Sequence, residues 1–374
     1  MKMLVLFALS LLILMQVDAV YAQIRKAPFI FPATDQYLVL KADFHQHTVF
    51  SDGSVWPATR VEEAYGEDLD VIALTEHIEY RPHLDEMTAR SHSHSFELAV
   101  NAAERFGIIL IRGTEITRMM PPGHLNAINI TDADVFEKFV NPNNSSDSAH
   151  VVEALAEARR QGGFVFWNHT AFPTPDNKST WHPIHQHLLE QGLMMGIEVV
   201  NGERYEPIAF QWCLDHNLTI FSNTDVHSTM AQKRSADDSK VMTLVLAKER
   251  TQDGVMEALR DRRTIALWNN QLMGREQHVA PVVAGAVKAR LHERNNLYLF
   301  ELENASGFPF IFEFTDLPQG FRIRNDVPWS VKPYETTAFT ASVRGDAPQS
   351  VKVRVLNVFV TPENNLEMEL PVIK

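Results

Sequence analysis

His45-Gln46-His47 follows a short apolar stretch, and in an extended chain a spacing of two sends both imidazoles to one side, where they can capture one metal ion. Alone the pair is weak evidence, because paired histidines are also common on surfaces. The pattern recurs, however. Ser51-Asp52-Gly53 comes five residues on. Residues 70–74 run into Thr75-Glu76-His77, and 108–111 into Gly113-Thr114-Glu115. Gly123-His124 opens a further apolar run, 164–167 leads to Asn168-His169, and 218–221 to Asn223-Thr224-Asp225-Val226-His227. Each piece also reads as a turn, a capped strand end or a satisfied buried group. An imidazole or carboxylate placed repeatedly at the same point of the pattern is poorly explained by coincidence.

The elements that must position these groups form a regular series. Short apolar runs at 37–44, 70–74, 108–111, 126–130, 164–167, 196–200, 218–221 and 241–246 alternate with helical patterns at 57–65, 95–106, 149–161, 206–216 and 252–262. Ser95 and Thr251 are expected as helix caps. This rhythm predicts an α/β fold with a mostly parallel sheet, closed or nearly closed into a barrel with polar strand ends. Beyond Gly274 the rhythm changes to strand-like runs at 296–302, 308–314, 336–343, 350–360 and 366–372, separated by turns and without a helix. A small all-β sandwich of Ig-like type is therefore expected over 275–374, after a barrel over 23–274. Fourteen of the sixteen histidines lie between His45 and His227, so histidine chemistry belongs to the barrel.

The chain has 374 residues, 45% apolar and 22% charged, which is globular composition. Its net charge of −13 leaves no cationic excess for wrapping nucleic acid or docking on an anionic membrane. Met1-Lys2-Met3, the apolar run 4–15 and Val20-Tyr21-Ala22 before Gln23 read as an export signal over residues 1–22, giving a periplasmic or secreted protein with no membrane span after cleavage. The single cysteine, Cys213, lies in an apolar helical pattern and is expected to be a small buried side chain.

The ordered set H-x-H, S-D-G, T-x-H, G-x-E, a strand-entry His, N-H and D-x-H, spread over residues 37–268, resembles the PHP family of metal-dependent phosphoesterases. That resemblance implies a distorted (β/α)7 barrel holding two to three divalent ions, zinc, manganese or iron, at the strand C-terminal ends. It implies His45, His47, Glu115 and Asp225 on one ion, Glu115, His124 and His169 on a second with Glu115 bridging, and Asp52, His77 and His227 on a third. Glu76 stands where the family often has Asp. Three such ions with Asp52, Glu115 and Asp225 leave a local excess of +3, enough to draw in phosphate despite the acidic whole. A hydroxide bridging two ions would attack phosphorus in line.

Further residues are candidates for gripping substrate. Arg81 and Arg118 could clamp phosphate oxygens, and His83 could protonate the leaving alkoxide; loop-fixing hydrogen bonds are the competing reading. His92 and His94 read as solvated. Residues 181–187, with three histidines, read as rim or surface decoration. Export, the β appendage and the stretches around His77 and Glu115 resemble the exported Sb-PDE-type branch of the family, implying a phosphodiesterase acting on a small-molecule phosphate ester, with Glu115 and Asp225 at the centre of its chemistry. A histidinol-phosphatase-like monoesterase and a non-catalytic metal- or glycan-binding protein are the alternatives.

Overall fold

A computed structural model of the chain describes residues 28–373 apart from 142–143, 145–147, 149, 175, 234–239, 295–296 and 324–327. The expected export signal lies outside the described residues. No helix among them is long and apolar enough to cross a membrane.

Strands β1 (Leu38–Asp43), β2 (Val71–Leu74) and β3 (Ile109–Ile116) are parallel neighbours. β4 (Leu125–Ile128) runs antiparallel between β3 and β5 (Phe164–Trp167). Parallel order resumes through β6 (Gly196–Asn201), which carries the short antiparallel β7 (Arg204–Tyr205), to β8 (Thr219–Asn223). A parallel bridge between Gln46 and Val226, just past the ends of β1 and β8, closes the barrel. Every residue of β2 and of β5 is buried, as expected of strands covered on both faces. Inside, Phe166 stacks on Phe221 at 4.3 Å between ring centroids, with Phe44 edge-on at 5.6 Å.

Of helices α1 (Pro57–Gly66), α2 (His94–Phe106), α3 (Val151–Arg160), α4 (Pro183–Glu190) and α5 (Pro207–Asp215), α3 lies between the antiparallel β4 and β5 and the others between parallel strands; α6 (Met230–Lys233) follows. The cap expected at Ser95 is displaced: α2 begins at His94 behind Ser93, and Ser93 makes no side-chain cap. Thr251 does cap α7 (Gln252–Arg260), its Oγ1 accepting from Gly254 N–H at 3.0 Å.

The run near 241–246 departs from the parallel expectation. As β9 (Val241–Ala247) it lies antiparallel along β1, and β10 (Thr264–Trp268) and β11 (Gln271–Gly274) extend this antiparallel wing. The helix-free expectation beyond Gly274 is also corrected, by α8 (Glu276–Ala286). Pro281 interrupts its pattern and normally breaks a helix, but His278, Val279, Val282, Val283 and Ala286 bury its face and hold it together.

The remainder is all-β: β12 (Val287–Arg294), β13 (Leu297–Asn304), β14 (Phe310–Asp316), β15 (Phe321–Arg322), β16 (Trp329–Val331), β17 (Thr336–Val343), β18 (Ser350–Phe359) and β19 (Asn365–Ile373). Phe310, Phe312 and Phe314 are buried while Ile311 and Glu313 between them are only half-buried, the period-two pattern of a strand with one face inward. β11 pairs in parallel with β18, Leu272 opposite Val358 and Met273 opposite Phe359. Val61, Leu244, Val279, Phe310 and Val353 share one apolar cluster. Sheet and core thus run unbroken across position 274.

Candidate metal centre

The bridge that closes the barrel also builds the site. Asp225 N–H donates to His45 O at 2.9 Å and His47 N–H to Val226 O at 3.1 Å, which sets Asp225 against both histidines. Asp225 takes up left-handed backbone at φ +51°, a conformation aspartate tolerates better than most residues. A second parallel bridge, His77 with Glu115, brings the ends of β2 and β3 together.

All nine expected ligands converge. His45 Nε2 lies 3.2 Å from Glu115 Oε2 and 3.1 Å from Asp225 Oδ1, and His47 Nε2 lies 3.2 Å from each of the same oxygens. Tetrahedral coordination with bonds of about 2.0–2.2 Å has edges of about 3.3–3.6 Å, so each of these four separations is close to one edge of a single-ion site, although Glu115 and Asp225 fall into different ligand groups. His47 Nε2 is buried between the two oxygens. Glu115 turns its other oxygen to His124 Nδ1 at 2.8 Å, with His169 Nε2 at 3.7 Å. Asp52 Oδ1 lies 3.1 Å from His227 Nε2 and 3.6 Å from His77 Nε2.

The partition differs in part from the implied one. His45, His47 and Glu115 form one ligand group, and Asp52, His77 and His227 form another with His47. His77 also groups with Glu115 and His124, and His169 groups with His45 and Asp225. The His77–Glu115 bridge accounts for the place of His77, drawing its Nδ1 to 3.2 Å from Glu115 Oε2.

Electrostatics follow from packing acids and imidazoles out of water. Burial alone would lower His47, but Asp225 and Glu115 outweigh it and lift the imidazole to about 9. Burial is likewise overcome at His45, raised well above its ordinary value by Asp225, Glu198 and Glu115. Glu115 and Asp225 are held well below the carboxylate range, burial notwithstanding, by the surrounding imidazoles. Burial dominates at His77 and brings it down to about 4.

A second layer holds the ligands. Glu198, which sequence reasoning passed over, is buried; its Oε1 accepts from His45 Nδ1 and Asn223 Nδ2, each at 2.8 Å, and its Oε2 from His169 N–H at 2.9 Å. Its signal was a single carboxylate inside the apolar strand Gly196-Ile197-Glu198-Val199-Val200. Glu76 accepts from Ser51 Oγ at 2.6 Å and Thr48 N–H at 3.0 Å, and Ser51 Oγ lies 3.2 Å from His47 Nδ1. The longer carboxylate therefore acts on the loop that carries His47 and Asp52.

The expected substrate-gripping residues are placed elsewhere. Arg118 is buried, ion-paired with Glu79, and donates to Thr117 O at 2.9 Å and Phe139 O at 3.1 Å. Arg81 donates to Glu137 at 2.9 Å and to Arg90 O at 2.7 Å. Both guanidiniums fix loops, and neither lines the cavity over the cluster. His83 precedes a one-turn helix at Leu84–Glu86 and is also absent from the lining.

The histidines read as solvated or decorative divide. His92 is buried, with Nε2 2.9 Å from Thr114 Oγ1, whereas His94 is partly exposed beside Glu97. His185 is buried, stacked on Trp167 at 3.8 Å, with Nε2 2.8 Å from Pro122 O, so it belongs to the core, whereas His182 is half-buried and His187 exposed. Cys213 is buried as expected, and burial pushes its thiol up to about 12.

The cluster floors a cavity of about 500 Å³, whose lining includes Tyr80, Phe172, Asn201 and Arg204, none of them singled out by motif. Five carboxylates, those of Asp52, Glu115, Glu198, Glu206 and Asp225, and one guanidinium, that of Arg204, face it.

Neither a protein-family model nor a curated protein matches the chain. Among solved structures, a two-domain protein of Bacteroides vulgatus containing a predicted PHP-like metal-dependent phosphoesterase is 36% identical, with a TM-score of 0.82, covering 93% of this chain and 99% of that one. A candidate metal-dependent phosphoesterase of Bifidobacterium adolescentis is 17% identical, with a TM-score of 0.41, over 59% of this chain and 96% of that one.

Proposed function

The chain belongs to the PHP-like metal-dependent phosphoesterases, and from that membership we propose that it is an exported phosphodiesterase working at a centre of two to three divalent ions. The observation that carries this reading is the convergence of nine imidazole and carboxylate ligands, seven of which line one cavity while His45 and His47 lie buried beneath it. Ions there supply Lewis-acid polarisation of the phosphoryl oxygens and a water acidified enough to attack near neutral pH. Zinc, manganese and iron all suit this donor set.

The chain's own residues supply the positioning. Glu115 offers one oxygen to His45 and His47 and the other to His124, so it is the carboxylate placed to be shared between two ions. Asp225 faces His45 and His47, and Glu198 orients His45 from behind. Without cations the lining is strongly acidic and would repel phosphate, which makes metal loading a condition of substrate entry. Glu198 also lowers the local positive excess expected from sequence by one.

A diester suits that smaller excess better than a monoester. The lining offers one guanidinium, Arg204, and it is already paired with Glu206. A singly charged diester needs no more, whereas a dianionic monoester lacks further cationic partners among these residues. The architecture we assign is a distorted (β/α)7 barrel over 23–274 with an Ig-like sandwich over 275–374, delivered to the periplasm or medium by residues 1–22.

The test is turnover of an aryl phosphodiester by purified, manganese- or zinc-loaded protein, beside the corresponding monoester. Diester turnover should exceed monoester turnover and be lost in His45→Ala and Asp225→Asn. Normal activity in Asp225→Asn would sink the mechanism, and faster monoester hydrolysis would favour the histidinol-phosphatase-like alternative.

A further inference from the structure

Tyr80 and Phe172 are 56% and 54% exposed, yet both line the cavity above the metal ligands. Large aromatic rings left in water inside a concave site have surface to bury against a ligand. Their backbones are pinned. Glu79, next to Tyr80, is buried, paired with Arg118 and accepts Thr117 N–H at 2.9 Å. Phe172 N–H donates to His169 O at 2.8 Å, and its loop is tied further by Thr170 Oγ1 to Ser179 Oγ at 2.6 Å and Ser179 Oγ to Glu206 at 2.9 Å. Ordered loops that present unpacked rings form a platform whose ordering cost is already met before binding.

The rings also stand at the right place. Phe172 lies edge-to-face with His169 at 5.5 Å and with His124 at 5.9 Å, so a planar group against it lies beside two of the metal ligands. About 500 Å³ is far more than a phosphate needs and falls in the range of pockets that enclose drug-sized ligands. Arg204, on the same lining, is held by Glu206 and donates to Asn177 O.

We propose that the substrate is a phosphate diester whose retained arm, the one not expelled, is planar and aromatic and seats against Tyr80 and Phe172; this rests on the phosphoesterase reading above. Tyr80 and Phe172 then determine specificity for the arm, and Arg118, through Glu79, positions Tyr80.

The experiment compares 4-nitrophenyl phenyl phosphate with 4-nitrophenyl methyl phosphate, which share a leaving group and differ in the other arm, using manganese-loaded full-length protein. The phenyl ester should have a KM lower by about tenfold. That ratio should fall toward one in Phe172→Ala, in Tyr80→Ala and most of all in the double variant. Met119→Ala, an exposed apolar side chain outside the cavity lining, should leave it unchanged. Equal KM values in the unaltered protein, or a preference that survives the double variant, would overturn the proposal. If neither diester turns over, the phosphoesterase reading has failed instead. Calorimetric binding of diphenyl against dimethyl phosphate to the loaded protein then decides the rim separately: tighter diphenyl binding lost in the double variant upholds it, and equal binding overturns it.

Discussion

Glu198 Oε1 lies 2.8 Å from His45 Nδ1, with both side chains out of contact with water. This contact keeps a proton on Nδ1 and leaves Nε2, which faces Glu115 and Asp225, as the nitrogen that would take a metal ion once its own proton is released. Glu198→Ala should therefore weaken metal binding by about 10- to 100-fold, read by competition with a chromophoric chelator, while Glu198→Gln, which can still accept the bond, should lose less. Unchanged affinity in Glu198→Ala would reduce the residue to packing.

Metal and protons compete for the same atoms. With His47 raised to about 9, the metal-free site holds a proton there at neutral pH, and loading must release it. Apparent affinity should rise with pH through about 9, with proton release measurable in weakly buffered solution. Stability should move oppositely in the metal-free protein. A raised folded pKa stabilises fully below about 6.5, and that contribution is lost as pH climbs through about 9. A melting temperature of the chelator-treated protein that rises between pH 7 and 9 would contradict this assignment.

Acid should destabilise through His185. Burial lowers it to about 4, and its two nitrogens are committed to Pro122 O and His182 N–H, an arrangement that needs the neutral ring. The unfolded chain then binds more protons between about pH 6.5 and 4, so stability falls as pH drops through that window. His92, brought down to about 3, and His278, to about 4, contribute in the same sense. Urea midpoints measured across this range should slope less steeply in His185→Gln than in the parent; equal slopes would remove His185 from the account.

Arg118→Ala would strand the buried Glu79 carboxylate. Removing one partner of such a pair costs about 3–5 kcal/mol, visible in urea denaturation. A raised KM with full stability would instead return Arg118 to the substrate.

The ligand set was legible because each residue type and its place after an apolar run are local properties. His45, His77, Glu115, His169 and Asp225 each follow a strand that reads as buried on its own. What surrounds them was not legible. Glu198 gains its meaning only when β6 brings it to His45 across the barrel, a contact spanning 153 positions. Arg81 and Arg118 stand close in sequence to ligands, but loop geometry turns both guanidiniums away. The direction of β9 depends on its wing rather than on its own apolar run, and α8 was hidden by Pro281 because burial of its face, a tertiary matter, offsets the proline.

The pairing of β11 with β18 has a bearing on synthesis. A nascent chain that has emerged only as far as Gly274 carries Leu272 and Met273 on a strand edge whose partner, Val358 and Phe359, does not yet exist. Until translation nears completion that edge is a template for stray pairing. A version cut after the barrel should accordingly be recovered as aggregate rather than as a small working enzyme, and soluble, monomeric recovery would refute this reading.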